Sequence, residues 1–98
     1  MIEVRQTKQF ANWFKGLRDR RAKVRVQARI DRVELGNFGD TKSVGNSVYE
    51  LPIPYGPGYR VYYVRQGTIV VVLLAGGDKS SQIADIKKAK QLAQQLED

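Results

Sequence analysis

Cysteine and histidine are both absent from the 98 residues of the chain. Without cysteine there is no disulfide framework and no thiol nucleophile. Without either residue, zinc-finger sites, imidazole-ligated metals and Ser-His-Asp chemistry are excluded. So is the histidine pair with which many ribonucleases move protons. Any catalysis would have to run on Arg, Lys, Tyr, Asp or Glu, and neither a metal nor another cofactor is expected. Long apolar runs are missing too. The longest, Thr68–Ala75, falls far short of the roughly 20 residues a membrane helix needs, and its β-branched content suits a strand. Met1–Arg5 lacks the apolar stretch of a signal peptide, so the expectation is a cytoplasmic protein with no membrane partner.

Acidic residues are the scarce charge: 10 Asp plus Glu stand against 17 Lys plus Arg, for a net +7. A phosphate backbone is the commonest partner of such an excess. Solubility alone is the plainer explanation, but the clustering of the charges favours nucleic acid or a nucleoprotein. The length suits one domain spanning 1–98, with a modest core that would benefit from a partner.

Periodicity gives the element order. Ile2–Arg5 alternates like a short strand. Thr7 is placed to cap a helix in which Phe10, Trp13, Phe14 and Leu17 recur at helical spacing, and these aromatics read as core residues rather than a base-stacking platform. A second helix from about Arg20 to Leu35 ends at Gly36, where a left-handed cap is favoured. The two helices should form a hairpin. Lys42–Val44 suits a short strand, Gly45-Asn46 a hairpin turn, and Val48–Ile53 the next strand, whose Pro52 and Pro54 place its end at an edge or bulge. Tyr59–Arg65 and Thr68–Ala75 read as strands joined by Gln66-Gly67, the second being the most buried. A polar loop, Gly76–Ser81, leads to a last helix from about Gln82 to Leu96, with Ile86, Ala89, Ala93 and Leu96 on one face. The order β-α-α-β-β-β-β-α predicts an α+β fold, its helices packed on one face of a mainly antiparallel sheet.

Three features could hold phosphate. Along the second helix, Arg21, Arg25, Arg29 and Arg32 fall in one stripe roughly 80° wide, and guanidiniums fork onto phosphate oxygens. A solvated face, partly balanced by Asp31 and Glu34, would look the same. In the strand after the Gly56-Pro57-Gly58 turn, Arg60 and Tyr62 point away from Tyr59, Val61 and Tyr63. Arg60 is thereby set either to hold a phosphate or to pair across the strands with Glu50. In Gly76–Ser81, two glycines permit close approach of a ligand, and Lys79, Ser80 and Ser81 lie within reach of an anion at the helix start. Ordinary capping by a serine is compatible with that.

Tyr55-Gly-Pro-Gly-Tyr-Arg-Val-Tyr-Tyr63, followed by Leu73-Leu-Ala-Gly-Gly-Asp-Lys-Ser-Ser-Gln82, resembles the RelE/ParE toxin superfamily, in its HigB-like branch of addiction module killer proteins. Ile2–Thr7, Ala28–Arg32 and Leu35–Asn37 carry the likeness over nearly the whole chain. It implies a RelE-like fold and the toxin of a type II toxin-antitoxin system. Such a toxin acts as a ribosome-dependent mRNA endonuclease that inhibits translation, partnered by the ribosome, mRNA and a cognate antitoxin of helix-turn-helix type. The family's cleavage is metal-independent: the 2′-OH attacks the adjacent phosphate and leaves a 2′,3′-cyclic phosphate. Arg60 falls on the family's strand arginine, which grips the scissile phosphate, and Lys79 near a basic residue that neutralises charge. A tyrosine early in the last helix of the RelE branch is replaced by the Ala84-Asp85 region. The proton acceptor is left open among Tyr62, Asp78 and Asp85. Two other functions stay in view: a ParE-like poison of DNA gyrase, and an accessory protein that binds RNA without cleaving it.

Overall fold

The computed structural model describes residues 1–97. Its elements are β1 (Glu3–Gln6), α1 (Lys8–Lys15), α2 (Arg20–Glu34), β2 (Lys42–Gly45), β3 (Val48–Ile53), β4 (Tyr59–Gln66), β5 (Val70–Gly77), a single 3-10 turn (Lys79–Ser81) and α3 (Gln82–Glu97). The chain is α+β, and its element order is the expected one. The five strands form one mixed sheet in the order β1-β5-β4-β3-β2. β1 joins β5 in parallel, and the other three ladders are antiparallel. No helix among the described residues is long and apolar enough to cross a membrane.

Local chemistry sets the helix ends. The Thr7 hydroxyl accepts from the Phe10 N–H at 3.0 Å and donates to the Leu74 carbonyl at 2.6 Å, so one side chain both caps α1 and ties it to β5. Asp19 caps α2 through the N–H groups of Arg21 and Ala22. Gly36, at φ +88°, lets the chain leave it. Two turns sit one or two residues from their expected places. The β2–β3 reversal falls at Asn46-Ser47, both at positive φ, and β5 begins at Val70 rather than Thr68.

The helices cover both faces of the sheet, not one. Phe10 of α1 and Val26, Ile30 and Val33 of α2 pack on Leu51, Ile53, Val61, Tyr63, Val71 and Leu73. Trp13 and Phe14 are packed against this core, as their spacing indicated. On the opposite face, Ala89 and Ala93 of α3 lie on Val48, Tyr62, Val64, Val72, Leu74 and Ala75. The reason is in β5: Val71–Ala75 is buried residue after residue, and a strand that is apolar on both sides needs cover on both.

One irregularity positions the candidate site. Tyr62 pairs with Ala75 but Tyr63 pairs with Leu73, so Leu74 is an extra residue in β5. Leu74 and Ala75 therefore both face α3, and the alternation beyond them is inverted. Gly76 lies under Trp13 and Gly77 under Asp85, so closely that a Cβ on either would overlap that side chain. The space these glycines open is filled by the protein's own side chains rather than left for a ligand.

Candidate phosphate-binding site

Arg60 enters near the start of β4, opposite Gly77 at the end of β5. The chain then turns at Lys79, whose N–H donates to the Pro57 carbonyl at 3.4 Å. Gly58, at φ +81°, lies beside both residues: a Cβ there would stand 3.5 Å from Arg60 Nη1 and 3.7 Å from Lys79 Cβ. Arg60 and Lys79, far apart in sequence, thus meet at one rim of the sheet beside the Gly56-Pro57-Gly58 turn. Lys79 is exposed, whereas the Arg60 side chain is 18% exposed.

Arg60 is held at two points. Its Nε forms an ion pair with Glu50 Oε1, and its Nη1 donates to the Gly58 carbonyl at 2.9 Å. Its other N–H groups have no protein partner among the described residues. Glu50 is 1% exposed, and its remaining company is Gln82 Nε2 at 2.9 Å and Lys42 Nζ at 3.6 Å. The cross-strand pair that the sequence allowed is present, and it coexists with a guanidinium edge free for a ligand. Gln82 steadies Glu50 from α3, a contact that its place at the helix start did not reveal.

The other residues expected at this site are committed elsewhere. Asp78 caps the 3-10 turn, accepting from the Ser80 N–H at 2.8 Å and from the Ser80 hydroxyl. The Ser80 hydroxyl bond and the backbone N–H groups hold its carboxyl below the usual carboxylate range, which makes it a poor proton acceptor. The Ser81 hydroxyl donates to Asp85, which rests on Gly77. Tyr62 is 0% exposed, between the sheet and α3. Burial first, then the charges of Glu50 and Asp85, push its phenol far up, so it stays protonated and out of a substrate's reach. Tyr62 is therefore removed from the candidate bases.

The arginine stripe of α2 divides. Arg21, Arg25 and Arg32 are exposed. Arg29 is 8% exposed and donates to the carbonyls of Phe38 and Asp40, the latter at 2.8 Å. It closes the 38–40 loop rather than offering a phosphate contact, and burial followed by repulsion from Arg32 lowers its pKa from the ordinary arginine value. The spacing shows why: Ala22, Val26, Arg29 and Val33 recur at helical intervals along the buried side. Arg25 lies over the Tyr55 ring, 4.8 Å from its centroid, while the Tyr55 hydroxyl donates to Asp19 at 3.0 Å. Tyr55 opens the same turn that Gly58 closes, so it links the exposed end of α2 to the Arg60–Lys79 rim.

No family model matches the chain, and no solved structure matches it. A Haemophilus influenzae protein described as uncharacterized is 50% identical to it over 95 residues, which cover 97% of this chain and 96% of that protein. The chain belongs to that protein's family. Chemically, the rim sets a fixed guanidinium close to the base of the exposed Lys79 side chain, an arrangement suited to a dianionic or developing-charge phosphate.

Proposed function

We propose that the chain is a RelE-like toxin of a type II toxin-antitoxin system, a ribosome-dependent endoribonuclease acting on mRNA. The observation that carries this reading is the Arg60–Lys79 pair, brought to one rim from β4 and from the 3-10 turn after β5, both beside Gly58, with the guanidinium pre-oriented by Glu50 and the Gly58 carbonyl. An RNA 2′-OH attacking its own 3′-phosphate passes through a pentavalent phosphorane with extra negative charge. Arg60 would hold its equatorial oxygens, and Lys79 would neutralise the same charge or the leaving 5′-oxygen. Of the candidate bases, Tyr62 is buried, Asp78 is tied into its cap, and Asp85 is bound by Ser81. In this reading the proton acceptor comes from the ribosome, and cleavage depends on docking there. A helix-turn-helix antitoxin would silence the toxin by direct binding.

The same shortage of a free base supports a second reading, in which the rim binds without cutting, as a gyrase poison or an RNA-binding accessory protein would. The test is brief induction in cells followed by mapping of mRNA 5′ ends, for the wild type, Lys79→Ala, Arg60→Ala and the double variant Glu50→Gln with Arg60→Ala. New cuts in translated regions that vanish in all three variants support the nuclease. Growth arrest with intact mRNA and broken chromosomal DNA refutes it and assigns the gyrase target. No arrest refutes any toxin and leaves an RNA-binding protein.

A further inference from the structure

The basic rim continues beyond Lys79. A shallow groove runs from Lys79 and Ser80 along the first turns of α3 to Lys87. There it meets a larger depression of about 560 Å³ between α3 and the β2–β3 turn, bordered by Asn46, Ser47, Lys87, Lys90, Gln91 and Gln94. Lys87 is the shared wall, so the two form one track. The larger depression has two ammoniums in its lining and no carboxylate. Asp78 and Asp85, at the Lys79 end of the track, are engaged in the cap and with Ser81. At the far end Lys90 leans against the turn, its Nζ 3.2 Å from where a Gly45 Cβ would stand.

We propose that this track is a second binding surface, for the sugar-phosphate backbone of a single RNA strand leaving the Arg60–Lys79 rim. Lys87 and Lys90 are three residues apart on one helix, with Cβ atoms about 5–6 Å apart. That spacing lets them meet neighbouring phosphates of one strand. The amides of Asn46, Gln91 and Gln94 and the Ser47 hydroxyl both donate and accept, as contacts to 2′-hydroxyls and base edges require. The α2 arginines are a poorer path, because Arg29 is buried and Arg25 is stacked on Tyr55. This inference rests on the RNA-directed reading of the rim and adds the route of the strand.

The experiment measures binding of a fluorescent single-stranded RNA to the full chain over a range of salt. Wild type is compared with Lys87→Gln/Lys90→Gln and with Arg21→Gln/Arg25→Gln, two variants that lose the same net charge. On a single strand, the slope of log K against log salt falls by about 0.7 for each phosphate that the protein no longer neutralises. The lysine variant is expected to lower it by about 1.4, and the arginine variant to lower it by less. Equal slopes in the lysine variant and wild type overturn the track, as do equal decreases in both variants, which mark a general charge effect. Absence of RNA binding by the wild type overturns it as well. So does poly-glutamate binding as tightly as RNA with the same lysine dependence, which reassigns the groove to an acidic protein segment. Transcript cleavage in cells is scored separately. Cleavage with an unchanged slope leaves the nuclease and removes the track, and a changed slope without cleavage does the reverse.

Discussion

Arg60→Ala is the obvious substitution at the rim, and it removes more than a phosphate ligand. Glu50 is 1% exposed and would keep only Gln82 and the distant Lys42 for company. Stripping one partner from a buried ion pair costs about 3–5 kcal/mol, because the other charge is left stranded. Arg60 is itself only mostly buried, and Lys42 can move toward Glu50, so the lower end, about 3 kcal/mol, is expected here. A domain of this length has roughly 5–15 kcal/mol in total, and the melting temperature should drop by roughly 12–24 °C. Glu50→Gln should cost about 1 kcal/mol, since its carboxamide still accepts a hydrogen bond and Arg60 can turn to water. Combining the two removes the stranded charge. The double variant should then recover about 2 kcal/mol relative to Arg60→Ala, which against the two single losses is a coupling of about 3 kcal/mol, the upper end of what contacting residues show. The assay is chemical and thermal denaturation followed by circular dichroism for the complete cycle. Wild-type stability in Arg60→Ala would refute the reasoning, as would a double variant less stable than Arg60→Ala. The cycle also decides what a loss of cellular activity means. If activity stays absent in the restabilised double variant, Arg60 is needed at the rim and not merely beneath it.

The glycine under Asp85 gives a further expectation. In Gly77→Ala the new methyl overlaps the Asp85 carboxylate and crowds the Ser81 hydroxyl, so the 3-10 turn carrying Lys79 must shift. Overpacking of this kind costs about 1–3 kcal/mol; an unchanged denaturation midpoint would sink that account. The pH profile should fall at both ends. Asp19, held low chiefly by the Tyr55 hydroxyl, and Asp78, held low chiefly by Ser80, have folded pKa values below their unfolded ones. Their contribution is complete above about pH 4 and is lost as the pH drops through the folded values. Tyr62 is shifted upward, so its contribution is complete below about pH 10 and disappears as the pH rises beyond that. Its phenolate absorbance should emerge only together with alkaline unfolding. Ionisation of all tyrosines while the circular dichroism stays native would contradict the burial argument.

How far the sequence carries depends on whether a feature leaves a periodic trace. The Thr7 cap, the α1 aromatics, the end of α2 before Gly36 and the bounds of β3 all do, because each follows from spacing or from one residue's conformational preference. The alternation in Tyr59–Arg65 likewise separates Arg60 and Tyr62 from Val61 and Tyr63, as the two cores show. Arg29 was legible too, since it falls on the Ala22–Val26–Val33 stripe, but its charge drew it into the exposed set. The second helical layer was half legible. The unbroken apolar run of β5 signals burial on both faces, yet the fully buried residues that the partner, α3, sets on that face are small alanines, with Ile86 and Leu92 only part-buried beside them. What spacing cannot reveal is a bulge, because one extra residue changes no composition. Leu74 inverts the alternation of β5, which turns Gly77 toward α3, the side on which Arg60 lies. Asp85 can then settle on Gly77 and hold Ser81, which keeps the 3-10 turn closed against the Pro57 carbonyl with Lys79 beside Gly58. In regular register the same loop would leave the sheet on the α1 side, under Trp13. The meeting of Arg60 and Lys79 therefore depends on an inserted leucine whose own side chain is buried in the core beneath α3.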